Sequence, residues 1–268
     1  MAIDFQQKPN YTAEDLRCIM ELLRSEEGCP WDREQTHKSI RKNLIEETYE
    51  AVEAIDNEDS PLLKEELGDI MLQVVFHARI SEEAGGFNLD DVADGICKKL
   101  IIRHPHIFGE SIVSDSEGVL DQWEDIKRQE KHQETYSETL RSVPIQLPAL
   151  MRSVKLVKRA EKAGLRYDSA QTALDDVQRR LDSLREAVTQ KDKDLQGLYL
   201  GELLLGLSAV SRLTRQDAEE NLSFASERFI NRFEKLEALV TERGIKMDAL
   251  SKTELCQLWQ VVLAELHD

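Results

Sequence analysis

An all-α fold is what this sequence predicts, and two observations carry most of that reading. Only 12 Gly and 6 Pro interrupt 268 residues, and the stretches between them space their apolar residues at helical intervals rather than alternating. No two segments read as a strand pair. A third observation sets the organisation: the pattern of the first half returns in the second, so two tandem helical domains are expected.

The elements follow in order. Thr12 with Asp15 reads as a capping box that starts a helix running to about Glu26. A second helix is expected from about Thr36 to Asn57. Ser60-Pro61 then restarts the chain, Ser as N-cap and Pro at the first helical position. That third helix continues to about Ala84, where Gly85-Gly86 ends it, and Asn88 caps a fourth that Pro105 stops. Pro144 and Pro148 bracket a segment that cannot extend a helix. The linker is therefore placed at 132–148, between domains at 1–131 and 149–268. Beyond it, helices are expected at about Ala149–Ala163, Ser169–Gln190, Asp194–Leu213, Asp217–Thr241 and Leu250–Leu266.

Composition excludes several classes of function. The chain is 41% hydrophobic and 32% charged, and no run approaches the roughly 18 apolar residues of a membrane span. The opening MAIDFQQKPN lacks the basic start and apolar stretch of a secretory signal. Cys18, Cys29, Cys97 and Cys256 are scattered, without a CxxC pair, and read as reduced thiols of a cytoplasmic protein. A net charge of −17 argues against binding DNA or RNA through a basic surface. It leaves room for a small phosphorylated ligand, because an interposed divalent cation reverses the local sign.

The acids themselves are arranged. From Leu44 to Asp69 there are ten Asp or Glu residues and one basic residue, Lys64. On the second helix the apolar stripe is Leu44, Thr48, Ala51, Val52 and Ile55; on the third it is Leu63, Leu67, Ile70, Met71 and Val74. Glu47 and Glu50 flank the first stripe, and Glu66 and Asp69 flank the second at the same angles. A lone Glu-x-x-Glu is ordinarily a solvated boundary pair. Two matched pairs on an antiparallel hairpin would converge into one site of four carboxylates. Such a group resists ionising unless cations are present, and oxygen-only ligands favour magnesium or manganese over zinc.

Other residues complete a phosphate-binding reading. Lys99 and Arg103 lie one turn apart near the end of the fourth helix, able to clamp phosphate oxygens or to complement the helix dipole. His104 and His106 follow in a turn, and His77 on the third helix reads as a packed or capping residue. Trp31 sits in a loop before the second helix, where an indole beside an acidic site could stack on a nucleobase or simply close a core. Gln35 and His37 are its polar neighbours in sequence.

Together, GCPWDREQTHKSIRKNLIEETYEAVEAI, LKEELGDIMLQVVFHARI and KKLIIRHPHIFG resemble the MazG family of nucleoside triphosphate pyrophosphohydrolases. The family's Glu-Glu-x-x-Glu and Glu-x-x-Asp motif is met by Glu46, Glu47, Glu50, Glu66 and Asp69. The resemblance implies helical domains that complete a four-helix bundle by homodimerisation, and magnesium-dependent cleavage of a nucleotide to monophosphate and pyrophosphate, with manganese as a substitute. It implies Glu47, Glu50, Glu66 and Asp69 as metal ligands and Glu46, Glu47 and Glu50 as the catalytic carboxylates. Lys99, Arg103, Trp31, Gln35 and His37 are then the substrate contacts.

The second half repeats the first at an offset of 133 residues, taking Leu67-Gly68-Asp69 onto Leu200-Gly201-Glu202. The stripe is kept: Leu44, Thr48, Ala51 and Ile55 become Val177, Leu181, Leu184 and Val188. The acids are not. Glu46 and Glu47 become Arg179 and Arg180, Glu50 becomes Ser183 and Glu66 becomes Tyr199. Arginine cannot ligate a cation, so the second domain is expected to be a dimerisation or regulatory module. Arg228 and Arg232 preserve the basic pair there. The rival readings are a nucleotide-binding or stress-regulatory protein with little turnover, a di-iron carboxylate bundle, which wants Glu-x-x-His pairs that are absent here, and a purely structural helical scaffold.

Overall fold

The computed structural model describes residues 5–111, 115–130 and 133–264. Every regular element among them is helical. The chain divides into two compact units, Met1–Lys127 and Arg128–Asp268.

The first unit contains α1 (Ala13–Leu23), α2 (Pro30–Glu34), α3 (Arg41–Asp56), α4 (Ser60–Glu83), α5 (Leu89–Arg103), α6 (Pro105–Phe108) and, as far as Lys127, α7 (Ser116–Glu130). Thr12 caps α1 through the expected box with Asp15, and Asn88 caps α5 through a second box with Asp91. The N-cap of α4 is Asp59, whose carboxylate accepts from the Leu62 amide at 3.0 Å, one residue earlier than Ser60 suggested. The long helix expected from Thr36 is broken. Residues 36–40 form a turn, and the short α2 carries Trp31, because Pro30 can only begin a helix.

α3 and α4 form an antiparallel hairpin joined by Asn57-Glu58-Asp59. Glu58 takes φ +54°, the Asp59 amide donates to the Ala54 carbonyl at 2.9 Å and the Glu58 amide to Ile55 at 3.1 Å, a Schellman closure. Ala51 and Ala54 face inward and let the helices approach closely. Met20, Ile40, Val75 and Phe76 make the core where α1 crosses α4, with Arg24 laid over the Phe76 ring at 5.3 Å.

The predicted stripe points elsewhere. Val52, Ile55, Leu67, Met71 and Val74 are all exposed, Leu67 at 53% and Ile55 at 57%. The inward face is instead the one bearing Ala51, Ala54, Glu66 and Gln73. Periodicity identified an apolar face but could not say that it lies on the outside of this unit.

The second unit contains α8 (Tyr136–Arg141), α9 (Ala149–Lys162), α10 (Ala170–Gln190), α11 (Lys193–Leu213), α12 (Ala218–Glu242), a 3₁₀ turn (Met247–Ala249) and α13 (Lys252–Ala264). Within the segment expected as linker, Thr135 and Glu138 form a capping box for α8, which packs on α9 and buries Val143. The α10–α11 hairpin repeats α3–α4 in detail. Lys191, 133 residues after Glu58, takes φ +59°, and the Asp192 amide closes onto the Ala187 carbonyl at 3.1 Å. Ala187, like Ala54, is 1% exposed. α9 lies against α11 as α1 lies against α4.

Candidate metal and phosphate site

The hairpin brings the matched acids together. Glu47 from α3 and Glu66 and Asp69 from α4 each offer a carboxylate oxygen within 4.8 Å of the others. Glu66 is 7% exposed, an unusual position for a carboxylate without a cationic partner. Its pKa is pushed up by burial first, then by the charges of Glu50 and Asp69 and by a hydrogen bond shared with Glu50. Glu47 is pushed up in the same way, by burial and by Asp69, Glu50, Glu66 and Glu46.

Glu50 thus stands beside Glu66 rather than within the three-oxygen group, and Glu46 is exposed at the edge of Glu47's surroundings. The donor set fits a hard divalent cation. It is all carboxylate oxygen, it gathers like charges at a cost in metal-free protein, and a bound cation would remove that cost. Zinc prefers nitrogen and sulfur donors, which this group lacks.

Beside the acids the structure shows a residue that the sequence reading missed. Gln73 is one turn beyond Asp69 on the same face of α4, 6% exposed, with Oε1 lacking a hydrogen-bond partner. Its spacing from Glu66 and Asp69 was the available signal. One turn further, His77 Nδ1 meets His37 Nδ1 at 2.8 Å, the rings stacked with 5° between planes. One ring nitrogen donates and the other accepts, and burial, then the neighbouring ring, hold His77 below its ordinary pKa. His37 is therefore paired with His77, not merely a loop residue.

The remaining candidates are spread over the unit. Trp31 is 59% exposed on α2, and Gln35 donates to its carbonyl at 2.9 Å while accepting from the Ser39 hydroxyl at 2.7 Å. Arg24, only 6% exposed as a side chain, ties this segment to α4: it donates to the Asp32 and Gln35 carbonyls and to Glu83 Oε2 at 2.7 Å. Lys99 is exposed on α5, and Arg103 lies over the Trp123 ring at 4.9 Å. His104 closes α5 through Leu100, while His106 Nδ1 is buried without a partner.

In the second unit the same hairpin positions hold a different arrangement. Arg180, at the place of Glu47, donates to the Glu202 carboxylate, at the place of Asp69. Its Nε also donates to Asp176 Oδ2 at 2.7 Å, and Tyr167 donates to the same oxygen at 2.8 Å. Ser183 spends its hydroxyl on the Arg179 carbonyl at 3.1 Å. A guanidinium stands where the first unit has an acid, and the local charge is balanced internally.

Residues 35–108, the span holding these acids, match the profile of the MazG nucleotide pyrophosphohydrolase domain. The chain is 40% identical over 248 residues to the nucleoside triphosphate pyrophosphohydrolase/pyrophosphatase MazG of Thermotoga maritima, spanning 92% of this chain and 94% of that protein. It is 38% identical over 250 residues to a nucleoside triphosphate pyrophosphohydrolase of Escherichia coli K12, spanning 92% of this chain and 95% of the relative.

Proposed function

The chain belongs to the MazG family, and from that premise we propose that it hydrolyses nucleoside triphosphates to monophosphate and pyrophosphate at the α3–α4 acids, using magnesium. The observation that carries this is the convergence of Glu47, Glu66 and Asp69 without a cationic neighbour in the group, each able to give one oxygen to a cation.

Magnesium held there supplies charge neutralisation for the triphosphate and acidifies a nearby water. Glu47, Glu66 and Asp69 hold it, and Glu50 stands beside Glu66 at the edge of the group. A proton leaving the attacking water is taken by a carboxylate at the edge of the group, Glu46 or Glu50. Lys99 and Arg103 contact phosphate oxygens, and Trp31, with Gln35 and His37, contacts the nucleoside. The second unit, its acids replaced by an internal ion-pair network, is a degenerate copy that regulates or dimerises. The protein works in the cytoplasm.

Glu47→Gln and Glu66→Gln proteins should each release pyrophosphate about a hundredfold or more slowly than the parent at saturating magnesium. Near-parental rates in both would sink the assignment. The alternative, a nucleotide-binding regulator with little turnover, predicts no pyrophosphate from the parent either.

The exposed stripe supports homodimerisation. Val52, Ile55, Leu67, Met71 and Val74 form an apolar face on one hairpin, larger than isolated surface residues would make. Met71→Glu should lower the mass measured by light scattering towards that of one chain; an unchanged mass would remove this face from the interface.

A further inference from the structure

The second unit contains a cavity of about 470 Å³ walled by α8, α9, α10, α11 and the loop after α9. Its apolar lining includes Leu156, Val157, Leu205 and Ala209; Arg166, Tyr167 and Arg180 line the polar side, with Glu161, whose carboxylate is paired with Arg212 at 2.5 Å. It is partly open to solvent, with Leu165 and Arg166 exposed at its edge, so a small molecule can enter. The first unit shows how the space arose.

At the 133-residue offset, Gly206 replaces Gln73 and Ala209 replaces Phe76, both buried in the first unit. The loop spacing Gly28-x-x-Trp31-Asp32 recurs as Gly164-x-x-Tyr167-Asp168, and in that register Ala160 replaces Arg24. Arg24 over Phe76 fills the first unit where α1 meets α4. Two small residues, Ala160 and Ala209, open the corresponding place in the second, while Val177 and Arg180 occupy the space at Gly206. Gly206 is itself a close fit, because a Cβ there would lie 3.1 Å from Val177 Cγ2 and 3.5 Å from Arg180 Cδ.

We propose that this cavity is a metal-independent binding site for a nucleoside monophosphate, through which the second unit senses product. The choice of a nucleotide rests on the catalytic reading of the first unit; the cavity does not. The apolar walls accept a base of roughly this size. Tyr167 is fixed as a wall by its hydrogen bond to Asp176. Arg180 commits Nε and Nη1 to Asp176 and Glu202, leaving Nη2 without a partner among the described residues. Arg166, exposed, carries no ion pair among them. Arg166 brings the positive charge and Arg180 Nη2 a further donor for one phosphate. Among the described residues, the acids that could together hold a cation are Glu47, Glu66 and Asp69 of the first unit, so a magnesium-chelated triphosphate finds no such group here.

The test is calorimetric titration of the full chain with AMP, GMP, CMP and UMP in EDTA. One saturable site per chain is expected. Ala209→Phe, which returns the first unit's side chain to the cavity, and Arg166→Glu should each weaken binding about tenfold or more. Ala209→Phe should unfold no earlier than the parent, separating occlusion from misfolding. Glu66→Gln should leave binding in EDTA unchanged while abolishing pyrophosphate release, so the two readings fail separately. Absence of saturable binding, or binding indifferent to both second-unit variants, or binding lost in Glu66→Gln, would overturn the proposal.

Discussion

The α3–α4 and α10–α11 hairpins share one backbone plan and opposite electrostatics. Both close through a left-handed residue followed by Asp, at Glu58-Asp59 and Lys191-Asp192, and both bury an alanine four residues before that turn. Both leave an apolar face outside, with Ile55, Leu67 and Met71 in one matched by Val188, Leu200 and Leu204 in the other. Yet one hairpin gathers acids whose burial and mutual repulsion raise the pKa values of Glu47 and Glu66, and the other spans the same gap with Arg180 between Asp176 and Glu202. The fold therefore does not require the acids. A hairpin can be held by a balanced ion-pair network, and the unbalanced one is where the proposed cation site lies.

The largest effects should come from exchanging the two solutions. Glu47→Arg puts the second unit's residue into the first, opposite Asp69. Turnover should fall about a hundredfold or more, since a guanidinium would sit where a cation is needed. In EDTA the same variant should melt at a higher temperature than the parent, because repulsion has become attraction. The parent's melting temperature should rise on adding magnesium and the variant's should not. Arg180→Glu is the mirror change. It leaves Asp176 and Glu202 uncompensated and should cost about 1–3 kcal/mol of stability. Thermal melts of the parent and both variants with and without magnesium check the stability expectations, and a pyrophosphate assay checks the turnover; equal behaviour of the two variants would dissolve the contrast.

Much of this was legible in the sequence because it depends on local rules. The caps at Thr12 and Asn88 follow from side chains that satisfy their own helix ends. The meeting of Glu47, Glu66 and Asp69 follows from helical spacing plus a three-residue turn. What was not legible depends on which face finds a partner. Val52, Leu67 and Met71 look like core by periodicity, but Ala51 and Ala54 take the inner side because small residues let the helices approach. The burial of Gln73 beside the acids was hidden because a buried amide has no motif. The contact of Arg103 with Trp123 required knowing where α7 packs, which no spacing within α5 reveals. The cavity beside Tyr167 needed the two units compared position by position, since each small residue alone looks unremarkable.

The smallest expected effect distinguishes a structural carboxylate from the cluster. Glu83 is opposed by burial, but hydrogen bonds from Arg24 and Arg79 outweigh it and hold its pKa below the ordinary glutamate value of 4.5. A depressed folded-state pKa means the unfolded chain binds the proton more tightly, so this pair stabilises above about pH 4.5. That contribution is lost as pH falls through the folded value. Glu66 has the opposite sign: its raised pKa makes the metal-free fold less stable as pH rises. Glu83→Gln should therefore cost about 0.5–1 kcal/mol near neutral pH and progressively less towards pH 3, read from urea unfolding across that range. Such a loss with unchanged pyrophosphate release would show that Arg24 and Glu83 anchor the Trp31 segment as structure. A fall in turnover larger than the fall in stability would instead place that anchor within the substrate-binding half of the site.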